Sequence, residues 1–384
     1  MSAVVPRFEQ MLAALISTPS VSCVNPVLDQ SNRPLVALLA EWAEAAGFRV
    51  EVMTIPGHPD KANLMATLGQ GDDGLVLAGH TDTVPFDESH WSHDPLRLTE
   101  VDGRYYGLGI ADMKAFFALA LEAARGLRAA ELRAPLILLA TADEESAMNG
   151  ARALVAAGRR PGRHALIGEP TGLRPVRLHK GVMNESLRLV GRSGHASDPA
   201  LGNSALEGMH EVIGAVLAWR EGLRQGHRHP AFAIPYPTVN LGHIHGGDNP
   251  NRICGECELQ LDLRLLPGMS AERVRAALCE QVAEIADRRG LRWAVEPLFE
   301  AIPPAETAAE AAIVRACERL TGRAAEAVNF GTEAPFLNQL GMETVVLGPG
   351  DIAQAHQPDE FLALERIPPT LALLRGLIGE FCVK

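Results

Sequence analysis

The sequence predicts an α/β protein, a mostly parallel sheet flanked by helices, with a smaller α+β domain of ferredoxin-like order inserted into it. Three observations carry that prediction: short apolar runs alternating with helical patterns in the first half, a βαββαβ succession from about residue 181, and a return to α/β character after Pro297. The runs Gly74 to Ala78, Leu136 to Thr141 and Ala165 to Ile167 are short and apolar throughout, as suits parallel strands buried on both faces. Arg33 to Ala46 and Met113 to Leu127 carry apolar residues at helical spacing. The later segments read as a strand (Glu185 to Val190), a helix (Ser204 to Leu223), strands (Thr238 to His243, Glu256 to Leu265), a helix (Ala271 to Arg288) and a strand (Leu291 to Pro297). Alternation is sharpest in the middle of that block. Cys257, Leu259, Leu261, Leu263 and Leu265 interleave with Glu256, Glu258, Gln260, Asp262 and Arg264, which predicts a strand with one buried face. A helix from Thr307 to Leu320, a strand at Thr344 to Leu347 and a helix near Pro368 to Phe381 complete the chain. The expected domains are therefore 1–180 with 298–384, and 181–297.

Length and composition agree with this and exclude other classes. A chain of 384 residues exceeds the roughly 100–200 expected per domain, and 47% hydrophobic with 21% charged residues is the balance of a folded protein rather than a disordered one. No apolar run approaches the ~20 residues that span a bilayer, and the first twenty residues lack the pattern of a secretory signal, so the cytoplasm is expected. A net charge of -12 opposes phosphate backbones and anionic lipids, which argues against nucleic acid and membrane partners. Six scattered cysteines are expected to be reduced thiols. In Cys254-x-x-Cys257, strand geometry would send the two side chains to opposite faces, against a shared metal.

Polar clusters follow the predicted strands, where open α/β sheets place their ligands. His80 and Asp82 follow the first, Asp143, Glu144 and Glu145 the second, and Glu169 the third. Each has an ordinary reading as well: a His–Asp pair on a turn, a solvated acidic loop, or, for Asp112 before a helix, an N-cap. Three consecutive carboxylates after an apolar strand nevertheless repel one another unless cations or solvent neutralise them. Taken with His356, the set His80, Asp112, Glu145 and Glu169 offers two imidazoles and three carboxylates, suited to two Zn²⁺-like ions sharing one carboxylate.

The blocks Gly79 to Pro85, Gly107 to Lys114, Thr141 to Glu145, Gly168 to Thr171, Ser193 to Ser197, Gly331 to Ala334 and His356 to Glu360 run through the chain in order. In them the sequence resembles the dinuclear zinc amidohydrolases that include aminoacylase, carboxypeptidase G and succinyl-diaminopimelate desuccinylase. The resemblance implies two divalent ions, Zn²⁺ with Co²⁺ able to substitute. It puts His80 and Glu169 on one ion, Glu145 and His356 on the other, Asp112 between them, and Asp82 behind His80. Glu144 is then the general base and acid for a water held between the ions. A cis peptide between Asp112 and Met113 is implied too. The inserted domain is implied to be a lid and homodimer surface whose His195 reaches the partner's site to help hold the oxyanion, with Asn251 and Arg264 contacting substrate. Arg264 has an equally good alternative, a salt bridge with Asp262 or with a neighbouring strand. Within the family, Leu241 to Gly247, Asn251 to Cys254 and Leu347 to Gly350 most resemble members that remove acetyl from N2-acetyl-L-ornithine in arginine biosynthesis. Glu333 is the candidate for the substrate's ammonium group, with a helix-start carboxylate as the alternative. Desuccinylation, broad N-acyl-amino-acid deacylation and a non-catalytic binding role are the alternatives, although the chain retains every ligand and the base.

Overall fold

Four of the short apolar runs form a parallel centre in the computed structural model, which describes residues 4–384. The strands are ordered Arg49–Ile55, His58–Leu68, Leu136–Thr141, Leu75–His80, His164–Ile167 and Glu343–Val346. The last four are mutually parallel, and the first two form an antiparallel hairpin on their edge. That hairpin lies outside the strands expected from sequence. Its burial changes from exposed to buried along His58–Leu68, so it shows neither clean alternation nor a continuous apolar run.

The chain divides into two units: residues up to Arg177 with Thr307–Glu326 and Thr332–Lys384, and Leu178–Glu306 with Ala327–Gly331. The insert thus starts at 178 rather than 181 and ends at 306 rather than 297. Pairing explains the shift, because Leu178 and His179 form a short ladder with Glu306 and Ala305. The order of the insert's own sheet is Thr238–Gly246, Glu256–Leu265, Gly181–Val190, Arg292–Pro297, all antiparallel, the ferredoxin-like arrangement. Its two helices, Ala205–Gly226 and Ala271–Arg289, start from Ser204 and Ser270, whose side chains accept N–H groups of the first turn. Both helices cover the leucine face of Glu256–Leu265, and Leu259, Leu261, Leu263 and Leu265 are buried there.

Cys254 and Cys257 belong to that same apolar cluster rather than to opposite faces. Cys254 precedes the strand, so strand alternation does not apply to it, and its Sγ faces the Glu256 carbonyl oxygen at 3.0 Å. Burial pushes the Cys257 thiol up to about 11, as for a thiol packed in an apolar core.

In the first unit the helix Ala115–Ala123 is apolar on all sides and almost wholly buried, with Phe116 and Phe117 at most 1% exposed. It lies so close to the sheet that the strand ends need glycine. A Cβ on Gly168 would stand 2.0 Å from Cγ of Phe116, and one on Gly79 would stand 2.3 Å from Cε of Met113. These glycines immediately precede Glu169 and His80, so close packing of the helix sets the depth of both side chains. Gly168→Ala should lower stability by about 1–3 kcal/mol, read as the urea midpoint, because a buried ring must move. Gly79→Ala should cost less, since the end of a methionine side chain yields easily; equal losses would contradict this account.

Candidate metal centre

His80 is the last residue of its strand, Glu169 follows His164–Ile167 by two residues, and Glu144 and Glu145 occupy the turn after Leu136–Thr141. Because these strands are parallel, their carboxyl ends gather the side chains on one edge of the sheet. Asp112 comes from an irregular segment before Ala115, and its peptide bond to Met113 is cis. His356 comes from the loop after Glu343–Val346, with φ of +60°.

Asp112 stands between the two histidines. His80 Nε2 is 3.0 Å from Asp112 Oδ1, and His356 Nε2 is 3.7 Å from Asp112 Oδ2. His80 Nε2 also lies 3.9 Å from Glu169 Oε1, while His356 Nε2 is 3.0 Å from Glu145. Donor atoms of His80, Asp112 and Glu145 lie within 4.8 Å of one another, and so do those of His80, Glu144 and Glu169. The five expected ligands and Glu144 are therefore brought together, with Glu144 on the His80 and Glu169 side.

The electrostatics of this cluster favour a cation. Burial, and then the charges of Asp112 and Glu145 against the pull of His80, holds the Glu169 carboxyl well above its ordinary range; its Oε1 has no hydrogen-bond partner. Burial and the neighbouring Glu169 do the same to Glu144. The His80 ring is pulled down by burial, yet its hydrogen bond to Asp112 and the charges of Glu169 and Asp82 leave it well above the usual imidazole range. Its two nitrogens stand against Asp82 O at 3.0 Å and Asp112 Oδ1 at 3.0 Å. Two imidazoles among crowded acids, with a buried carboxylate oxygen left unpaired, are the donor set that divalent ions would complete.

Asp82 supports the site differently from the expectation. Its main-chain carbonyl, rather than its carboxylate, meets His80 Nδ1, the nearer carboxylate oxygen being 3.8 Å away. Asp82 Oδ2 instead accepts the N–H of Glu145 at 3.0 Å, tying the two ligand loops together. Glu333 is 1% exposed; its Oε2 accepts from Thr141 Oγ1 at 2.8 Å, and its Oε1 is buried without a hydrogen-bond partner. Burial pushes it up to about 7, and it precedes the helix Ala334–Gln339 with no side-chain bond to the first turn. In the inserted unit, Arg264 makes a two-pronged bond to Asp262 at 2.9 and 3.0 Å. His195 and Asn251 come together: Ala196 N–H donates to Asn251 O at 3.0 Å, and His195 bridges to Arg252. Arg264 lies near the far end of Glu256–Leu265 from that loop, roughly 25 Å of extended chain away.

Sequence reasoning missed Lys61. Its ammonium meets Asp29 Oδ1 at 2.7 Å and Asp143 Oδ1 at 2.8 Å, both Lys61 and Asp143 being buried. Ser22 Oγ and Asn149 Nδ2 add hydrogen bonds to Asp143, so the first acid of the Asp143-Glu144-Glu145 run is consumed in holding the turn, at φ of +60°, that presents the other two. A lone lysine early in the strand His58–Leu68 carries no local signal for this.

Two imidazoles and four carboxylates on the carboxyl ends of parallel strands make this a metal-dependent hydrolase. Residues 76–380 match Peptidase family M20/M25/M40, and the chain belongs to that family. It is 51% identical to acetylornithine deacetylase from Pasteurella multocida (strain Pm70) over 378 residues, 98% of this chain and 99% of that protein. Among solved structures, an aminopeptidase from Bacillus cereus ATCC 10987 matches with a TM-score of 0.75 at 22% identity over 98% of each chain. A dinuclear metal-binding M20 peptidase from Bacillus subtilis matches with a TM-score of 0.68 at 16% identity, over 97% of this chain and 98% of that one. The structural likenesses bear on the fold.

Lys61→Met should destabilise the protein by about 3 kcal/mol, because Asp143 is left buried without its cation. In a double-mutant cycle, Asp143→Asn in the Lys61→Met background should cost much less than in the parent; strict additivity of the two unfolding free energies would refute the pairing.

Proposed function

We propose that the protein removes the acetyl group from N2-acetyl-L-ornithine, giving acetate and L-ornithine in arginine biosynthesis. The observation that carries the hydrolytic part is Asp112 standing with one oxygen toward His80 and the other toward His356. The substrate rests on the identity with the Pasteurella multocida deacetylase over nearly the whole chain. His80 and Glu169 would hold one divalent ion, Zn²⁺ by the mix of imidazole and carboxylate donors, and Glu145 and His356 a second, with Asp112 shared. Such ions, when bound, lower the pKa of water and polarise the amide carbonyl. Glu144 takes the proton of the attacking water on its carboxylate and returns it to the leaving amine nitrogen. Asp82 keeps His80 Nδ1 occupied, which leaves Nε2 to face the centre. The six cysteines are unpaired, in keeping with a reducing cytoplasm. Among the described residues no helix is long and apolar enough to cross a membrane.

The assignment of roles predicts a split between metal content and turnover. His80→Ala and His356→Ala should lose metal after dialysis, measured by elemental analysis. Glu144→Gln should keep about the parental content while kcat falls on the order of 10²–10⁴-fold. Equal metal loss in all three would show that Glu144 is a ligand.

The substrate is tested by kcat/KM for N2-acetyl-L-ornithine, N-acetyl-L-methionine and N-succinyl-diaminopimelate with saturating metal. The ornithine derivative should lead by about 100-fold, as a site built for a charged group rejects analogues that leave it unpaired. Preference for the succinylated compound would reassign the protein as a desuccinylase, and a flat profile over the acetylated pair as a broad aminoacylase.

We also propose a homodimer through the insert. Thr238–Gly246 is an outer strand of its sheet, with Ile244 exposed. His195 Nδ1 accepts the N–H of Ser197 at 3.2 Å, which leaves Nε2–H as an outward donor on an exposed side chain, suited to an oxyanion supplied by a second copy. Mixing inactive His195→Ala and Glu144→Gln chains should restore part of the activity through one intact site per heterodimer. No recovery despite demonstrated chain exchange would argue against a histidine acting across subunits.

A further inference from the structure

We propose that Glu360 is a positioning residue of the metal centre, fixing the segment that carries Asp112 to the segment that carries His356. Its carboxylate touches neither the other acids nor a histidine in the cluster. Instead it accepts three main-chain N–H groups of the Asp112 segment. Oε2 takes Gly109 N–H at 2.7 Å, and Oε1 takes Ala111 N–H at 2.7 Å and Asp112 N–H at 3.0 Å. The main-chain oxygen of Glu360 accepts Gly107 N–H at 3.1 Å as well. Glu360 is 3% exposed, and the ammonium of buried Lys114 acts on it from the other end of the same segment.

The backbone here cannot satisfy those donors by regular structure. Gly109 has a φ of +76°, Asp112 and Met113 have non-helical angles, and the regular helix begins at Ala115. Gly109, Ala111 and Asp112 are all buried, so without Glu360 their N–H groups would each lack the partner that burial demands. The carboxylate therefore dictates where the Asp112 backbone lies. Four residues before Glu360 is His356, whose loop also has a left-handed backbone at its own position and at Asp359. Asp359 Oδ1 accepts the N–H groups of Ser92 and His93, which pins that loop from its other side. Immediately after Glu360, Phe361–Ala363 pairs with Arg104–Tyr106, the strand that leads into the Asp112 segment. The strand pairing sets the two segments side by side, and Glu360 sets the register at which Asp112 Oδ2 meets His356 Nε2.

This rests on the reading of Asp112 as the shared ligand, so the test includes Asp112→Ala. Full-length Glu360→Gln, Glu360→Asp and Glu360→Ala are compared with the parent for Zn²⁺ affinity by chelator competition, for the visible spectrum of the Co²⁺ protein, and for kcat and KM with saturating metal. Gln keeps one acceptor oxygen but turns an N–H toward a donor, Asp is one methylene short, and Ala removes every acceptor. Affinity for the more weakly held ion should fall about 10–100-fold in Glu360→Gln, further in Glu360→Ala, and less in whichever conservative variant recovers the three N–H groups. The Co²⁺ spectrum should change and kcat should fall with KM within about twofold, which a merely structural clasp would not produce. If Glu360→Ala does not fold, Glu360→Gln decides. Folded Glu360 variants with parental affinity, spectrum and kcat, alongside metal loss in Asp112→Ala, would overturn the proposal alone. Parental metal binding in Asp112→Ala would overturn the reading of the centre and the proposal with it.

Discussion

Crowding of like charge at the carboxyl ends of the parallel strands is the constraint around which the first unit is arranged. Asp112, Glu144, Glu145 and Glu169 converge with His80 and His356, with His80, Asp112 and Glu169 buried and His356 half exposed. Carboxylates brought this close cannot all ionise without a compensating positive charge, and burial raises the cost of each. Burial and like charge hold the Glu144 and Glu169 carboxyls well above their ordinary range. Divalent ions would supply the compensating charge, which ties metal uptake to the same groups that make the cluster unfavourable without it.

A second set of acids makes that crowding possible. Asp82 accepts the N–H of Glu145, Asp143 is locked by Lys61, Ser22 and Asn149, and Glu360 accepts three N–H groups of the Asp112 segment. These residues lie beside or near the ligands in sequence, yet the side chains of Asp82 and Glu360 hold backbone and that of Asp143 holds other side chains. Irregular loops cannot satisfy their own N–H groups, and carboxylates, which only accept when ionised, are well suited to the task. Acidic density in the motifs thus serves two purposes, presentation of ligands and fixation of the loops that present them.

The inserted unit answers to different physics. Its stability comes from one leucine-lined sheet face under two helices, while the opposite face carries Asp262, Arg264 and the polar partners of the strand alternation. Its polar face and outer strand lie outside that core, so they can vary without disturbing it. The loop that joins His195 to Asn251 and Arg252 is held by main-chain hydrogen bonds, which leaves both side chains to face outward.

Much of this was legible locally. Apolar runs located the parallel strands, alternation from Glu256 to Leu265 located the one-faced strand to the residue, and ligand-type residues after strands located the centre, because each signal is carried by neighbours in the chain. The tertiary structure alone decided which acids face the centre and which hold backbone. Asp143 is set apart from Glu144 by Lys61, Ser22 and Asn149, Glu333 meets Thr141, Glu360 is defined by donors some 250 residues earlier, and Cys254 joins the cluster of Cys257 from the segment before the strand begins. Residue type and spacing determine what a side chain is able to do, and long-range packing determines which partner it meets, so the donor set was written in the sequence while the division of labour among its acids was not.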